Sequence, residues 1–166
     1  MAQQSRPHII LASLTLAGGS RYPSALGHLV RTAAVAAYLA NLLELDDSEQ
    51  RHIYLVAPVH DIGKLGIPDD VLLKPAALTD AEHEIMQRHS NIGAELLGGT
   101  ADPLLQMAAS VARHHHEHFD GSGYPAGLAG EDVPLAARIV AVADAFDAML
   151  EPRVYREGMS EDDAVG

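Results

Sequence analysis

The chain has 166 residues, 48% hydrophobic and 20% charged, which suits one globular domain with a single core. Its net charge of −12 argues against non-specific binding to nucleic acid or to an anionic membrane, since both require a basic face. The absence of cysteine excludes disulfides and thiolate metal sites, and no apolar run approaches the roughly 20 residues of a membrane span. The N-terminus also lacks the basic flank and cleavage site of a signal peptide, so we expect a cytoplasmic protein.

Helical patterns dominate the chain, and no strand-like alternation of useful length occurs. In chain order we predict helices at 8–17, 24–44, 48–62, 79–97, 102–117 and 134–150, a short helical turn after Pro68, and a further helix from about Ser160. Thr79 and Glu82 form a capping box that begins the fourth helix. Pro58 cannot donate a backbone hydrogen bond and should distort the third helix just before His60. We therefore predict an all-α domain that spans residues 1–166.

Helical periodicity predicts which histidines of the fourth helix point inward. His89 lies three or four residues from Ile85, Met86 and Ile92, so it shares their apolar face. His83 lies on the opposite, solvated face. A single inward histidine is most often a core residue that is hydrogen-bonded to the backbone, and His89 alone does not predict a metal site.

The segment 114–125, "HHHEHFDGSGYP", crowds four histidines and two carboxylates into seven positions. The buried stripe of the fifth helix consists of apolar residues, and His115 projects through its centre. His114 and His116 fall on opposite edges of this stripe, and periodicity does not choose between them. Several inward histidines in one small core favour a metal site over independent core histidines.

The helix predicted at 134–150 is apolar on nearly every side and is interrupted only by Arg138, Asp144 and Asp147. Burying a carboxylate without a partner is very costly, so something cationic must meet Asp144. A salt bridge, for example to Arg138, is one solution. A metal ion is the solution that we favour, because the chain also supplies inward histidines.

The adjacent His60 and Asp61 open the segment "HDIGK" near the distorted end of the third helix. They can offer an imidazole and a carboxylate to one ion, and Gly63 allows a turn that brings Lys64 back over the same site. Imidazole and carboxylate ligands without thiolate favour iron, manganese or zinc. A carboxylate such as Asp61 can bridge two ions, an arrangement used for in-line displacement at phosphorus.

These segments together resemble an HD-GYP domain, a subgroup of the HD metal-dependent phosphohydrolase superfamily. The resemblance covers roughly residues 10–160 and is carried by "GHLVR" at 27–31, "HDIGKLGIPDDVLLKPAALT" at 60–79, "MQRHSNIGAELL" at 86–97, "HHEHFDGSGYP" at 115–125 and "ARIVAVADAFDAM" at 137–149. It implies an all-α fold around a metal centre and hydrolysis of cyclic di-GMP to the linear dinucleotide or on to GMP. It also implies a possible partner, a diguanylate cyclase domain that docks on the GYP loop.

The resemblance also implies roles for individual residues. The implied metal ligands are His28, His60, Asp61, His89, His115, His116 and Asp144, with Asp61 as the bridge. Lys64 resembles the lysine that contacts a substrate phosphate, Tyr124 would line the pocket, and Asp147 is a candidate proton handler. Arg153 and Arg156, in "RVYR", resemble substrate contacts. His114 and His118 fall outside the family's pattern and are interpreted as bystanders.

The chain departs from the family's pattern at two informative positions. Ser24 stands where family members often carry a glutamate that serves a third metal, and a serine hydroxyl is too short and neutral for that role. We therefore expect two divalent ions per site, iron or manganese first, with zinc, nickel or magnesium as alternatives. Val154 replaces the usual proline of the RPYR segment. The family's last helices and an N-terminal sensor or receiver domain are also expected to lie outside this chain.

Three functional hypotheses stay open at this point. The first is a phosphodiesterase for cyclic di-GMP, and the second is an HD-type hydrolase for another nucleotide, including a different cyclic dinucleotide. The third is a non-catalytic module that binds cyclic di-GMP or a diguanylate cyclase. The intact "HDIGK" and "HHE" segments favour catalysis, because a docking module has no need of them.

Overall fold

A computed structural model of the protein describes residues 6–21 and 25–150. The α-helices in chain order are α1 (Arg6–Arg21), α2 (Ala25–Leu42), α3 (Asp47–Val56), α4 (Asp69–Leu72), α5 (Asp80–Gln87), α6 (His89–Leu97), α7 (Pro103–His114) and α8 (Leu135–Leu150). Short 3₁₀ turns occupy Ala57–Val59, Ile62–Gly66 and Gly130–Asp132. Within these ranges there is no strand, only an isolated bridge between Asp120 and Ala129, so the predicted all-α fold is confirmed.

The core forms where α2 packs on α3 and α8, and where α6 packs on α7 and on the 3₁₀ turn Ile62–Gly66. The inner face of α2 is built from small side chains, with Ala33, Ala36 and Ala40 all buried. Small residues let neighbouring helices approach closely, and α2 packs against both α3 and α8. Val111 and Val140 are fully buried, and burial of such a side chain contributes roughly 1.5–3 kcal/mol to folding.

The boundaries of two predicted helices are wrong in informative ways. The helix predicted at 79–97 is two helices, because α5 ends at Gln87 and α6 begins at His89. At this break the carbonyl of Met86 accepts a hydrogen bond from Nδ1 of His89 at 2.7 Å, and a side chain that binds a helix carbonyl competes with the backbone ladder. The helix predicted at 102–117 ends at His114, so His115 and His116 lie just beyond α7.

Other local predictions are confirmed. The α-helical part of the third helix stops at Val56 and a 3₁₀ turn that contains Pro58 follows, as the proline predicted. Thr79 caps α5 in a capping box with Glu82. The short helix predicted after Pro68 is α4, whereas the helix predicted from Ser160 lies outside the described residues. None of the described helices is both long enough and apolar enough to cross a membrane.

Candidate metal centre

Seven side chains that the sequence singled out as ligands come together in two adjacent groups. In each group the candidate ligand atoms lie within 4.8 Å of one another. The first group, called site A, consists of Asp61, His89, His115 and His116. The second group, called site B, consists of His28, His60 and Asp144.

Five separate segments supply these ligands, which explains why the fold is needed to assemble them. His28 lies on α2 and Asp144 on α8, while His89 is the first residue of α6. The pair His60 and Asp61 lies between two 3₁₀ turns, and the pair His115 and His116 follows the end of α7. In a continuous helix consecutive side chains point about 100° apart. A helix end or a tight turn lets two consecutive side chains, such as those of His115 and His116, point to the same site.

Three of the histidines are oriented by backbone carbonyls. The Nδ1 atom of His60 lies 2.7 Å from the Ala57 carbonyl oxygen, and the Nδ1 atom of His89 lies equally close to that of Met86. The Nδ1 atom of His115 lies 3.0 Å from the carbonyl oxygen of Ala112. A carbonyl can only accept, so Nδ1 carries a proton in each ring, and in the neutral ring Nε2 keeps the lone pair that can bind a cation.

Asp61 lies between the two groups. Its Oδ1 is 3.4 Å from Nε2 of His89 and 3.7 Å from Nε2 of His115, both in site A. Its Oδ2 is 3.5 Å from Nε2 of His60 in site B and 2.5 Å from Nζ of Lys64. The two oxygens of one carboxylate therefore face different groups, which is the arrangement of a bridging ligand.

The electrostatics of site A favour the neutral rings of His89 and His116. Burial lowers the pKa of His89 to about 4, and burial with the neighbouring charges of His115 and His89 lowers the pKa of His116 to about 2. Burial alone would raise the pKa of Asp61, but the charges of Lys64 and His60 hold it well below its ordinary value. At neutral pH site A thus offers an ionised carboxylate and neutral rings at His89 and His116, the forms that bind metal.

Site B is charged differently. A hydrogen bond with Asp144, helped by another with Asp147, raises the pKa of His28 to about 9 against the opposing effect of burial. Burial would raise the pKa of Asp144, but the hydrogen bond from His28 lowers it to about 2. The ion-pair partners of Asp144 are His28 and His60, at 3.0 and 3.6 Å. The alternative partner that the sequence offered, Arg138, has a buried Nε without a hydrogen-bond partner among the described residues.

Asp147, the candidate proton handler, lies behind His28. Its Oδ2 is 2.6 Å from Nδ1 of His28, and both of its oxygens accept hydrogen bonds from Arg31. Burial would raise the pKa of Asp147, but these hydrogen bonds outweigh it and lower the pKa. Both oxygens are therefore engaged by side chains, and Asp147 belongs to neither ligand group.

The loop after α7 is held against site A by Glu117, a residue to which the sequence had assigned no role. Its buried carboxylate accepts hydrogen bonds from the backbone N–H groups of Ala126, at 2.8 Å, and Leu128, at 3.0 Å. The ring of Tyr124 in this loop stacks on His116, with centroids 4.8 Å apart and planes 30° apart. The sequence carried a signal for this contact, because Glu117 follows the two candidate ligands and precedes a Gly/Pro-rich loop.

The remaining candidate residues do not join the two groups. His83 and His118 are exposed, and His118 contacts the hydroxyl of Ser122. His114 is half-buried, and its Nδ1 lies 3.0 Å from the carbonyl oxygen of Ser110. Ser24, Arg153 and Arg156 lie outside the described residues.

The fold and the two ligand groups agree with a family match. The family described as "HD domain" matches residues 18–166, which is most of the chain. The chain belongs to the HD domain family. All seven residues of sites A and B lie within the matched region.

Relatives of this HD domain carry names that refer to cyclic dinucleotides. The chain is 52% identical over 137 residues to the cyclic di-GMP phosphodiesterase response regulator RpfG of Xanthomonas campestris. The matched region covers 82% of the chain and 36% of that protein. It is 42% identical over 135 residues to the 3'3'-cGAMP-specific phosphodiesterase 2 of Vibrio cholerae, which covers 81% of the chain and 26% of that protein. The chain thus spans about a third of the length of these relatives.

A solved structure shares the fold of this HD domain. It is an HDG"Y"P protein from Bdellovibrio bacteriovorus, with a TM-score of 0.62 and 23% identity over 82% of the chain and 43% of the other chain. At this identity the similarity supports the arrangement of the helices and nothing finer.

The residues of this HD domain fit divalent metal. Nε2 of His60 and Oδ1 of Asp61 are buried and have no hydrogen-bond partner in the part of the chain that the structure describes. Buried polar atoms without a partner cost about 1–3 kcal/mol each, and a cation in each site, paired with Oδ1 of Asp61 in site A and with Nε2 of His60 in site B, would remove that cost. Imidazole and carboxylate ligands also match the preferences of divalent transition metals.

Proposed function

We propose that this HD domain is a metal-dependent phosphodiesterase that hydrolyses cyclic di-GMP to the linear dinucleotide. The observation that carries the proposal is Asp61, whose two oxygens face sites A and B. The names of the relatives supply the substrate class, since an HD-type site by itself is compatible with many phosphate esters.

In this proposal sites A and B each hold one divalent ion, iron or manganese first, with zinc, nickel or magnesium as alternatives. When bound, such ions would supply a hydroxide nucleophile near neutral pH and stabilise the oxygens of the phosphoryl group. Asp61 holds the two sites at a fixed separation. His60, His89 and His115 keep their Nε2 atoms on the site, since their Nδ1 atoms are engaged by carbonyls.

Lys64 is the residue that we assign to the substrate phosphate. Its side chain is 34% exposed, more than Asp144 at 22% or Asp61 at 18%, so it lies on the solvent side of the centre. Its Nζ forms an ion pair with Oδ2 of Asp61, which keeps the ammonium at the edge of both sites. From that position it can donate to a phosphate oxygen and offset charge that develops there.

Tyr124 is the proposed wall of the substrate pocket. Its ring is held beside the centre by stacking on His116 and by the Glu117 contacts to its loop. An aromatic face of this kind suits a purine base, because every base can stack on it. Arg153 and Arg156 are proposed to contact the phosphates or guanines, and the GYP loop is proposed as the surface for a diguanylate cyclase domain.

With Ser24 in place of a glutamate, we propose two ions in the whole centre, one in site A and one in site B, and no third ion. Two ions suffice for one displacement at phosphorus, so we expect the linear dinucleotide to accumulate and GMP to appear slowly.

A second candidate is hydrolysis of a different cyclic dinucleotide. The similarity to a 3'3'-cGAMP-specific phosphodiesterase favours this alternative specifically. Both candidates use the same centre and differ only in the bases that the pocket accepts.

The test is a hydrolysis assay with protein that was purified without oxygen and loaded with iron or manganese. Cyclic di-GMP and 3'3'-cGAMP are offered separately, and the products are followed over time. Faster turnover of 3'3'-cGAMP would favour the second candidate, and hydrolysis of neither would contradict both. Stoichiometric GMP at early times would contradict the proposed product.

Two variants separate the proposed roles. Asp61→Ala should lose both metal and turnover, because one carboxylate serves both sites. Lys64→Ala should retain metal and lose turnover by roughly 10²–10³-fold, the usual effect of removing one group that stabilises transition-state charge. Metal loss in Lys64→Ala equal to that in Asp61→Ala would contradict the role assigned to Lys64. The exposed His118→Ala is the matched control and should change neither quantity.

A further inference from the structure

The ring of His28 lies between two carboxylates. Its Nε2 is 3.0 Å from Oδ1 of Asp144 in site B, and its Nδ1 is 2.6 Å from Oδ2 of Asp147. To bind a cation the ring must give up one proton, and the remaining proton can lie on either nitrogen, since each nitrogen faces a carboxylate that can accept it. If the proton stays on Nε2, that nitrogen has no lone pair for a cation. Whatever holds the proton on Nδ1 therefore decides whether His28 is a ligand.

His28 differs in its anchor from the three histidines that donate to carbonyls. A backbone carbonyl at a helix end is fixed by the helix, whereas the carboxylate of Asp147 can rotate unless something holds it. Arg31 provides that restraint. Its Nε is 2.6 Å from Oδ1 of Asp147 and its Nη2 is 2.9 Å from Oδ2, which is a two-point contact with the planar carboxylate.

The arrangement follows from matched spacing on two packed helices. His28 and Arg31 are three residues apart on α2, and Asp144 and Asp147 are three residues apart on α8. Residues with this spacing share a helix face, so each helix presents two groups to the other. The side chain of Asp147 is 3% exposed and that of Arg31 is 49% exposed, so the carboxylate is enclosed and the guanidinium covers it from outside.

We propose that Arg31 and Asp147 are a positioning pair that keeps the proton of His28 on Nδ1 and directs Nε2 into site B. The inference rests on the metal centre of the proposed function. It assigns Asp147 a role outside proton transfer to substrate, because both of its oxygens are already engaged. The pair reaches the centre through His28, which belongs to site B, so the pair should affect only one of two metal equivalents.

The test uses Zn²⁺ alone as the probe, with affinity measured by competition against a chromophoric chelator. Asp147→Asn should weaken one of the two zinc equivalents by roughly 10- to 100-fold, the usual effect of losing such an outer partner. Arg31→Met should weaken the same equivalent, and Arg31→Lys should restore part of the loss because a charge returns without the two-point contact. Lys74→Met is the matched control, since it removes the ion pair with Glu82 and should leave both equivalents unchanged.

Nitrogen NMR of the imidazole rings gives the second readout. In zinc-loaded wild type the proton of His28 should be on Nδ1, and in Asp147→Asn that signature should be lost or exchange-broadened. Unchanged zinc affinity, an unchanged His28 signature, or equal weakening of both equivalents would each overturn the proposal. If one variant does not fold, the others carry the same test. Wild type that binds zinc with this signature but hydrolyses no cyclic dinucleotide would refute the proposed function and leave the positioning pair intact, whereas wild type that binds no zinc would refute both.

Discussion

Gly63 gives a sharp test of how the "HDIGK" segment is seated against α6. A Cβ atom built on Gly63 would lie 1.9 Å from the carbonyl oxygen of His89 and 2.5 Å from the backbone nitrogen of Gly93. Both neighbours are backbone atoms of α6, so no side-chain rotation can relieve the overlap. Gly63→Ala must push the segment and the helix apart, and this moves Asp61 away from His89.

The size of the effect follows from this geometry. Overpacking a core usually lowers the free energy of unfolding by about 1–3 kcal/mol. Because the new Cβ meets backbone atoms, which move less easily than a side chain, we expect Gly63→Ala to lose about 3 kcal/mol or more. For a chain of this size that corresponds to a fall in Tm of roughly 6–12 °C.

Gly18→Ala, within α1, is the matched control. The new Cβ would lie 3.5 Å from Cδ1 of Ile62, which is an ordinary van der Waals contact. This variant should stabilise the protein by roughly 0.5–1 kcal/mol, the difference between alanine and glycine inside a helix.

The assay is urea unfolding of both variants and wild type, followed by circular dichroism in the presence of EDTA. Removing metal separates the packing effect from the loss of ligands. Gly63→Ala within about 0.5 kcal/mol of wild type, the range of neutral surface changes, would refute the close approach of the segment to α6. In metal-loaded protein Gly63→Ala should also lose site A, while Gly18→Ala should keep it.

Three further predictions address the site and its scaffold. His89→Ala should lose the metal of site A and His83→Ala should lose none, as measured by metal content per chain; the reverse pattern would contradict the assigned helix faces. Glu117→Gln should destabilise the protein by about 1–3 kcal/mol in urea unfolding, because one loop N–H loses a charged acceptor. The same change should free the ring of Tyr124 from His116. Unchanged stability would contradict the role of Glu117 in holding the loop. Thr79→Ala should cost about 1 kcal/mol by removing the cap of α5 and should leave metal content unchanged.

Part of the two candidate ligand groups could be predicted from local signals in the sequence, whereas His28 was predicted only from the family resemblance. The inward position of His89 follows from helical spacing, and the need of Asp144 for a cation follows from the apolar helix around it. His116 was ambiguous from periodicity because that argument assumed a helix through 117. The helix ends at His114, and the turn that follows directs both His115 and His116 to site A.

What the sequence did not predict depends on contacts between distant segments. At the break at Arg88 the carbonyl of Met86 accepts a hydrogen bond from the side chain of His89, and helical periodicity has no signal for that contact. Glu117 contacts backbone nine and eleven residues further on, through a loop whose path is set by tertiary structure. Arg31 had a usable signal, because its spacing from His28 repeats that of Asp144 and Asp147, but the signal appears only once α2 and α8 are known to pack.

The charge of the centre would let this acidic chain accept the anionic substrate that we propose for it. The chain carries a net charge of −12, yet only two of its carboxylates, those of Asp61 and Asp144, are among the seven ligands of sites A and B. The five imidazoles add no negative charge, so two divalent ions would be only half neutralised by their ligands. Lys64 adds a further positive charge at the exposed edge. Metal loading of the two groups would therefore make the centre positive, and this local field would attract a phosphodiester.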